Sequence, residues 1–266
     1  MKRLFKHAAL FTMLALVMGL LLVGCGQNDE QSTDALQRVK DNGEISFAMS
    51  GGYPPFNYYN DENQLVGFDV DVASEIADRL GVDLKPITSE WSGLIEGLRS
   101  GVYDGILGSM AITEDRLKVV DFSEPYYYSG AQLVVRSNEG FSSPADLEGK
   151  VIGVVTGTTF EADAEKLNPK EVKLYKDDNQ TLLELERGSI DAVISDRVVG
   201  VNAINSGRFD FELLGSPLRS EDIAVAFRQQ DDSLREVVNE ILAQLHEDGT
   251  LKRLSEKWLQ MDITKK

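Results

Sequence analysis

Arg116, Asp196 and the adjacent pair Thr158 and Thr159 are the residues whose surroundings in the sequence most call for a chemical explanation. Arg116 follows Thr113-Glu114-Asp115, which reads as an N-cap and the first turn of a helix. An arginine there opposes the helix dipole, so helix stability does not account for it. Its planar, permanently charged fork suits a carboxylate; a surface ion pair with Glu114 or Asp121 is the alternative. Thr158 and Thr159 stand between Gly157 and an expected helix start at Phe160, where free backbone N–H groups attract anions. Plain N-capping explains the same residues. Asp196 follows the apolar run Ala192-Val193-Ile194 and reads as the end of a strand. In a cleft, such an acid accepts from an ammonium group; pairing with Arg197 or capping a following helix are its competing roles. Tyr53 and Trp91 offer flat apolar faces, with cation–π attraction for a positively charged ligand. Core burial is the ordinary alternative for both.

Other reactive groups are few. Cys25 is the single cysteine, which leaves no disulfide and no CxxC metal site. Of the two histidines, His7 lies in an N-terminal leader and His246 in a late amphipathic helix. A histidine-based triad or metal site is therefore not expected. Asp69 and Asp71 flank Val70 and read as capping and first-turn acids of a helix, with no calcium-loop spacing after them. Neither metal nor cofactor is expected. Glu90, beside Trp91, is the best available general acid if the site is catalytic.

The chain opens with Lys2, Arg3 and Lys6, continues through an almost uncharged apolar stretch over 8–23, and reaches Leu22-Val23-Gly24-Cys25. Charged start, apolar middle and small residues at the end make a secretory signal peptide over 1–24. The run Leu22-Val23-Gly24-Cys25 resembles a bacterial lipobox, in which the cysteine is acylated, palmitate included, and becomes the mature N-terminus. The apolar stretch is too short and too N-terminal for one span of a polytopic protein. The formal charge of -17 over 266 residues becomes more negative once the three leader cations are lost. Such a surface repels nucleic acid and anionic headgroups. The mature length suits one large or two small domains.

These groups need elements to position them. The polar stretch 25–39 reads as the lipidated N-terminus and a flexible tether. Beyond it, strands and helices alternate. Ile45–Met49 reads as a strand. Asp71–Leu80 reads as an amphipathic helix on Val72, Ile76 and Leu80, stopped by Gly81. Val82–Ile87 is an expected strand, 94–98 a helix stopped by Gly101, and Tyr103–Leu107 another strand. Ser143-Pro144 resembles an N-cap with proline at the first helical position. Lys150–Val155 and Ile190–Ile194 read as buried strands flanking a helix over 182–185, which Gly188 stops. After a strand at Ile223–Phe227, a helix runs from Ser233 to Glu247, with Val237, Ile241 and Leu245 on one face. The alternation predicts an α/β architecture of two similar halves. Their polar turns, around 109–116 and around 156–159 with Asp196, point to one crevice at the carboxyl ends of the strands.

Seven fragments now fall in order: Tyr53-Pro54-Pro55-Phe56, Gly67-Phe68-Asp69-Val70-Asp71, Trp91-Ser92-Gly93-Leu94-Ile95, Ser109 to Arg116, Asp121 to Tyr126, Gly157-Thr158-Thr159 and Asp191 to Asp196. Together they resemble the bacterial extracellular solute-binding proteins for polar amino acids, family 3, over about 40–262. The resemblance implies two α/β lobes, 40–130 plus 228–262 and 131–227, joined by two strands hinged near Gly130–Val134 and Ile223–Arg228. It implies that Arg116, Ser109, the main chain at Ala111, and Thr158 and Thr159 hold a ligand carboxylate. It further implies that Asp196 holds the α-amino group and that Tyr53 and Trp91 wall the side chain. Relatives selective for basic amino acids carry an acid just before the Tyr53 motif; here Ser50-Gly51-Gly52 stands there, leaving Ser50 and Glu90 as candidate selectivity residues. The implied protein is a monomeric, non-enzymatic substrate-binding component of an ABC importer. It works outside the cell membrane on a lipid anchor and delivers its ligand to a permease. The alternative on the same scaffold is a cyclohexadienyl-dehydratase-like enzyme.

Overall fold

The computed structural model describes residues 34–266, so the leader and Cys25 lie outside the described residues. Folded structure begins earlier than the expected tether allows. Asp34 accepts the Gln37 amide at 3.1 Å and caps a helix over Ala35–Asn42. Ala35 and Val39, one turn apart, bury against the helix Asp232–Glu247, and Ser233 Oγ donates to Asp34 at 2.8 Å. The stretch assigned to a tether over 25–39 is therefore helical from Ala35 onward. Its apolar stripe is too narrow to stand out among polar neighbours.

The first half contributes β1 (Glu44–Met49), the short strands β2 (Gly52–Tyr53), β3 (Asn57–Tyr59) and β4 (Leu65–Val66), and β5 (Asp83–Thr88). It continues with β6 (Gly105–Ala111) and β7 (Asp121–Phe122). Two long strands follow in sequence order with others between them: β8 (Tyr127–Arg136), β9 (Val151–Val155), β10 (Glu171–Tyr175), β11 (Ala192–Asp196) and β12 (Phe211–Phe227). Among the described residues, one mixed sheet runs β10-β9-β11-β8-β12-β6-β1-β5, with β7 on β12. Its middle is the antiparallel pair β8 and β12, in register from Tyr127 with Ile223 to Arg136 with Phe211, broken between Leu214 and Arg219. Toward one end β12 pairs with β6; toward the other β8 pairs with β11. The two α/β halves thus share these two strands.

Each half buries its own apolar faces. Ala48, Ile106 and Ala224 pack on Leu94 and Leu98, and Ile152, Val154 and Ile194 pack around Leu147 and Phe160. Burial of the Leu, Ile, Val and Phe side chains among these contributes about 1.5–3 kcal/mol each relative to exposure, and of the alanines less. The helix Phe68–Leu80 starts directly beneath the β2–β3–β4 sheet. Gly67 there has φ +134, and a Cβ on it would lie 2.2 Å from the Phe56 carbonyl oxygen, so only glycine fits.

Three expectations shift. The strand placed at Tyr103–Leu107 runs instead from Gly105 to Ala111. Tyr103 turns into the core, where its hydroxyl donates to the Leu94 carbonyl. The long helix Asp232–Glu247 buries Leu234, Val238, Ile241, Leu242 and Leu245, with Val237 only half-buried, so its apolar face is rotated from the one expected. A further helix, Thr250–Leu259, follows and ties back through Trp258 Nε1 to Asp71 at 2.7 Å. Ser143-Pro144 caps a single 3₁₀ turn, with Ser143 and Asp146 forming a capping box.

Candidate ligand-binding cleft

The two halves face each other across a pocket with about 520 Å³ of empty space, its mouth included. It is lined by Ser50, Tyr53, Trp91, Ser109, Ala111, Arg116, Thr158, Thr159 and Asp196. All the residues singled out in the sequence converge there except Glu90. That carboxylate lies in a neighbouring depression and pairs with Lys176 at 3.2 Å, both side chains about two-thirds exposed. A solvated pair of this kind contributes little. Glu90 is thus not the cleft's best acid, because two buried aspartates described below are better placed.

Arg116 reaches the pocket from a one-turn helix, Glu114–Leu117, whose cap Thr113 accepts the Arg116 amide at 3.2 Å. The side chain folds back: Nη1 donates to the Ala111 carbonyl at 2.7 Å, and the guanidinium lies 5.5 Å from the Trp91 ring centroid. Neither Glu114 nor Asp121 pairs with it, and among the described residues it has no carboxylate within ion-pair distance. Desolvation lowers its pKa first, then Glu221 raises it and Arg219 lowers it. Most of the guanidinium's five donors remain for an incoming carboxylate.

Ser109, at the exit of β6, has φ +64, an uncommon conformation for a residue with a side chain. Asp69 holds it there. This carboxylate is fully buried and accepts Ser109 Oγ at 2.8 Å, Asn57 Nδ2 at 2.7 Å and the Tyr126 hydroxyl at 2.6 Å. Burial pushes it up to about 6 against those three donors. Asp69 does lie in a helix's first turn, as expected, but it faces inward as a hub. Asn57 passes the constraint on through its Oδ1, which accepts Ser50 Oγ at 3.0 Å and the Gly51 amide at 2.9 Å. With its one proton given to Asp69, the Ser109 hydroxyl offers a ligand a lone pair, so it does not also donate to a carboxylate.

Asp196 ends β11, is 1% exposed, and accepts both the Val198 amide and Ser129 Oγ at 2.7 Å on Oδ1. Helix capping is therefore fulfilled. Pairing with Arg197 is not, since that guanidinium donates to Gln132 at 3.1 Å. No donor meets Asp196 Oδ2 among the described residues, and burial pushes the carboxyl up to about 7. Thr158 Oγ1 donates to the Val155 carbonyl and Thr159 Oγ1 to Glu221, both at 2.7 Å, so neither hydroxyl caps the helix Phe160–Glu165. Tyr53 is the outer ring of a stack over Phe56 (5.2 Å) and Tyr127 (5.1 Å from Phe56). Trp91 Nε1 bridges the cleft to the Gly157 carbonyl at 3.1 Å.

Sequence reasoning missed Asp178 and Glu221, which also line the pocket. Asp177-Asp178 looks like ordinary helix-start chemistry, and Asp177 does cap, accepting the Gln180 amide at 2.9 Å. Glu221 lies upstream of the expected strand at Ile223–Phe227, in the part of β12 that the sequence did not reveal. Its alternation with Arg219 on one face of β12 was the available signal.

The cleft between the two α/β halves thus carries, among the described residues, an arginine without a carboxylate partner and a buried aspartate with an open oxygen, the lining of a small-molecule binding site. The model of the bacterial extracellular solute-binding proteins, family 3, matches residues 45–261, and the chain belongs to that family. L-cystine-binding protein TcyJ of Escherichia coli (strain K12) is 34% identical over 248 residues, covering 92% of this chain and 93% of that protein. A mutant of ArgBP from T. maritima superposes with a TM-score of 0.80 at 36% identity, covering 85% of this chain and 99% of its own. The ancestral amino acid-binding protein AncCDT-1, a precursor of cyclohexadienyl dehydratase, also reaches 0.80, at 28% identity over 84% of this chain and 99% of its own.

Proposed function

We propose that this protein is the substrate-binding component of an amino-acid ABC importer, presenting its ligand to a membrane permease. The observation that carries the reading is the facing pair Arg116 and Asp196. One is a half-buried cation without an anion, the other a buried carboxylate with an open oxygen. An α-amino acid supplies both missing partners at once. Arg116 holds its carboxylate, with Ala111 and the 158–159 turn around it, and Asp196 holds its ammonium. The side chain extends between Tyr53 and Trp91. The lobes comprise about 40–130 plus 223–262 and about 131–222. Ile223, Ala224 and Ala226 pair with β6, and the two alanines pack in the first half, so the second bend falls just before Ile223 and not over Ile223–Arg228, while the first stays near Gly130. Ligand selects the closed state of an open–closed ensemble. The protein acts as a monomer without cofactor, and Cys25 carries the lipid that holds it at the outer face of the membrane. TcyJ and the solved amino-acid binders support an amino-acid ligand. AncCDT-1, as a precursor of cyclohexadienyl dehydratase, keeps a dehydratase in view, and two buried acids near neutrality would serve such an enzyme.

Thermal-shift screening over the amino acids tests the reading, because a ligand that binds only the folded state raises its melting temperature by mass action. At least one amino acid should raise it and be released unchanged on denaturation. Conversion of a cyclohexadienyl acid would select the enzyme, and no shift with any amino acid would remove the proposal.

A further inference from the structure

Three buried carboxylates line this cleft; Glu221 is committed to Arg219 and Thr159, and of the remaining two the α-amino group of a ligand needs only one. The second is Asp178, at the start of the helix Asp178–Glu186 and 5% exposed. Asp177 already caps that helix, so capping does not explain its neighbour. The Asp178 side chain turns inward, where Ser195 Oγ is the one side chain that donates to it among the described residues. A carboxylate has about four acceptor positions; Ser195 and a backbone amide take part of them, and the residue lines the pocket with the rest. A buried charge left in that condition is costly unless a partner arrives, and burial pushes the group up to about 7.

Its place in the cleft follows from packing. A Cβ on Gly52 would lie 3.0 Å from that of Asp177, so this helix start rests against the strand that carries Tyr53. Tyr53 in turn has its phenol held up by Asp196, Asp178 and Glu221, after burial. That packing against Gly52 sets the helix start carrying Asp178 beside the Tyr53 strand, the end of the cleft where on this reading a ligand's side chain extends. Glu221, the other acid nearby, is already taken by Arg219 at 2.8 Å and Thr159 at 2.7 Å. Once Arg116 and Asp196 are matched to an α-amino acid, Asp178 is the buried carboxylate left over.

We propose that Asp178 anchors a positively charged nitrogen on the ligand's side chain, so that the cleft selects amino acids carrying a second cationic group. The inference rests on the amino-acid reading above. It also accounts for recognition of such a ligand without an acid in Ser50-Gly51-Gly52, by supplying that acid from the opposite lobe. Lys176, beside Asp177 on the pocket wall, is held only in a solvated pair by Glu90 and can exchange that acid for a ligand's second carboxylate. The nitrogen thus belongs either to a simple basic side chain or to the far end of a double-headed diamino dicarboxylic acid.

Titration calorimetry on the purified protein decides it, using neutral analogues of matched shape: arginine against citrulline, lysine against norleucine, with diaminopimelate as the double-headed probe. At least one cationic ligand should bind about tenfold or more tighter than the neutral analogues, the scale of a hydrogen bond to a charged group. In Asp178→Asn, which keeps the shape and an acceptor for Ser195, that preference should fall below about threefold. Lys176→Ala identifies the carrier: it weakens the double-headed probe alone. Citrulline and norleucine binding as tightly as their cationic partners in the parent protein, with diaminopimelate no tighter, would overturn the proposal without any variant, as would a preference that survives Asp178→Asn. Binding by no amino acid at all would instead remove the reading of the cleft on which it rests.

Discussion

Replacing Arg116 with alanine is the most demanding test of the cleft. In the structure the guanidinium makes one hydrogen bond, to the Ala111 carbonyl, and lies over Trp91. It has no carboxylate partner, and desolvation already works against its charge. Its removal should therefore cost the free protein little, and the melting temperature without ligand should stay within a few degrees of the parent's. The bound state behaves differently. There the ligand carboxylate would be enclosed with Arg116 as its counter-charge. Truncating one partner of a desolvated charged pair costs about 2–5 kcal/mol, which is roughly 30-fold to several thousand-fold in affinity. Arg116→Lys should recover only part of this, because an ammonium cannot both donate to Ala111 and present two parallel donors to a carboxylate. Calorimetry with the cognate ligand measures the loss, and melting curves measure the control. Parent-like affinity in Arg116→Ala would refute the carboxylate assignment, and so would an equal loss of stability in the free protein.

Asp69, Asp178 and Asp196 have pKa values raised from 3.8 to about 6, 7 and 7, so the folded chain holds more protons than the unfolded one between about pH 4 and 7. Their contribution is complete below about pH 4 and is lost as pH rises through 7; the ligand-free melting temperature should fall over pH 5 to 8, and Asp178→Asn should flatten the slope, whereas a steady rise in the parent would contradict the burial argument. Gly67→Ala forces a methyl against the Phe56 carbonyl and should destabilise the fold by more than 1 kcal/mol in urea titration, while Gly81→Ala, with open space around it, should cost less. Cys25→Ser should leave the precursor without lipid in the membrane fraction by mass spectrometry, while the released protein still binds its ligand.

The sequence conveyed most of the alternation and little of the burial. Val72, Ile76 and Gly81 announced their helix because an apolar stripe and a glycine stop are local signals. Arg116 was legible because the sequence reads it as a cation in a first turn, which is against the local rule and needs some other reason. The helix is in fact a single turn, so Arg116 also closes it, and what sets the residue apart is its lack of a carboxylate partner among the described residues. Asp178 and Asp69 obey that rule as acids at helix starts, so nothing in the chain distinguishes them from solvated caps. Only the packing of the Tyr53 strand against one and of β6 against the other turns them inward. Glu221 stayed hidden for a different reason. Its stretch of β12 pairs through a register break, and the intervening Gly215-Ser216-Pro217 reads as a loop.

Asp196 caps the helix Arg197–Asn205 with the same oxygen that takes Ser129, leaving its other oxygen to the pocket. A proton on this carboxyl weakens the cap, and, if Asp196 holds the ligand's ammonium as proposed, that ammonium keeps it ionised and strengthens the cap. Occupancy of the cleft is thereby written into the backbone one turn away. The Val198 amide becomes a built-in gauge, its hydrogen exchange slowing when ligand is present, so that filling of the site can be followed from inside the protein with no label on the ligand.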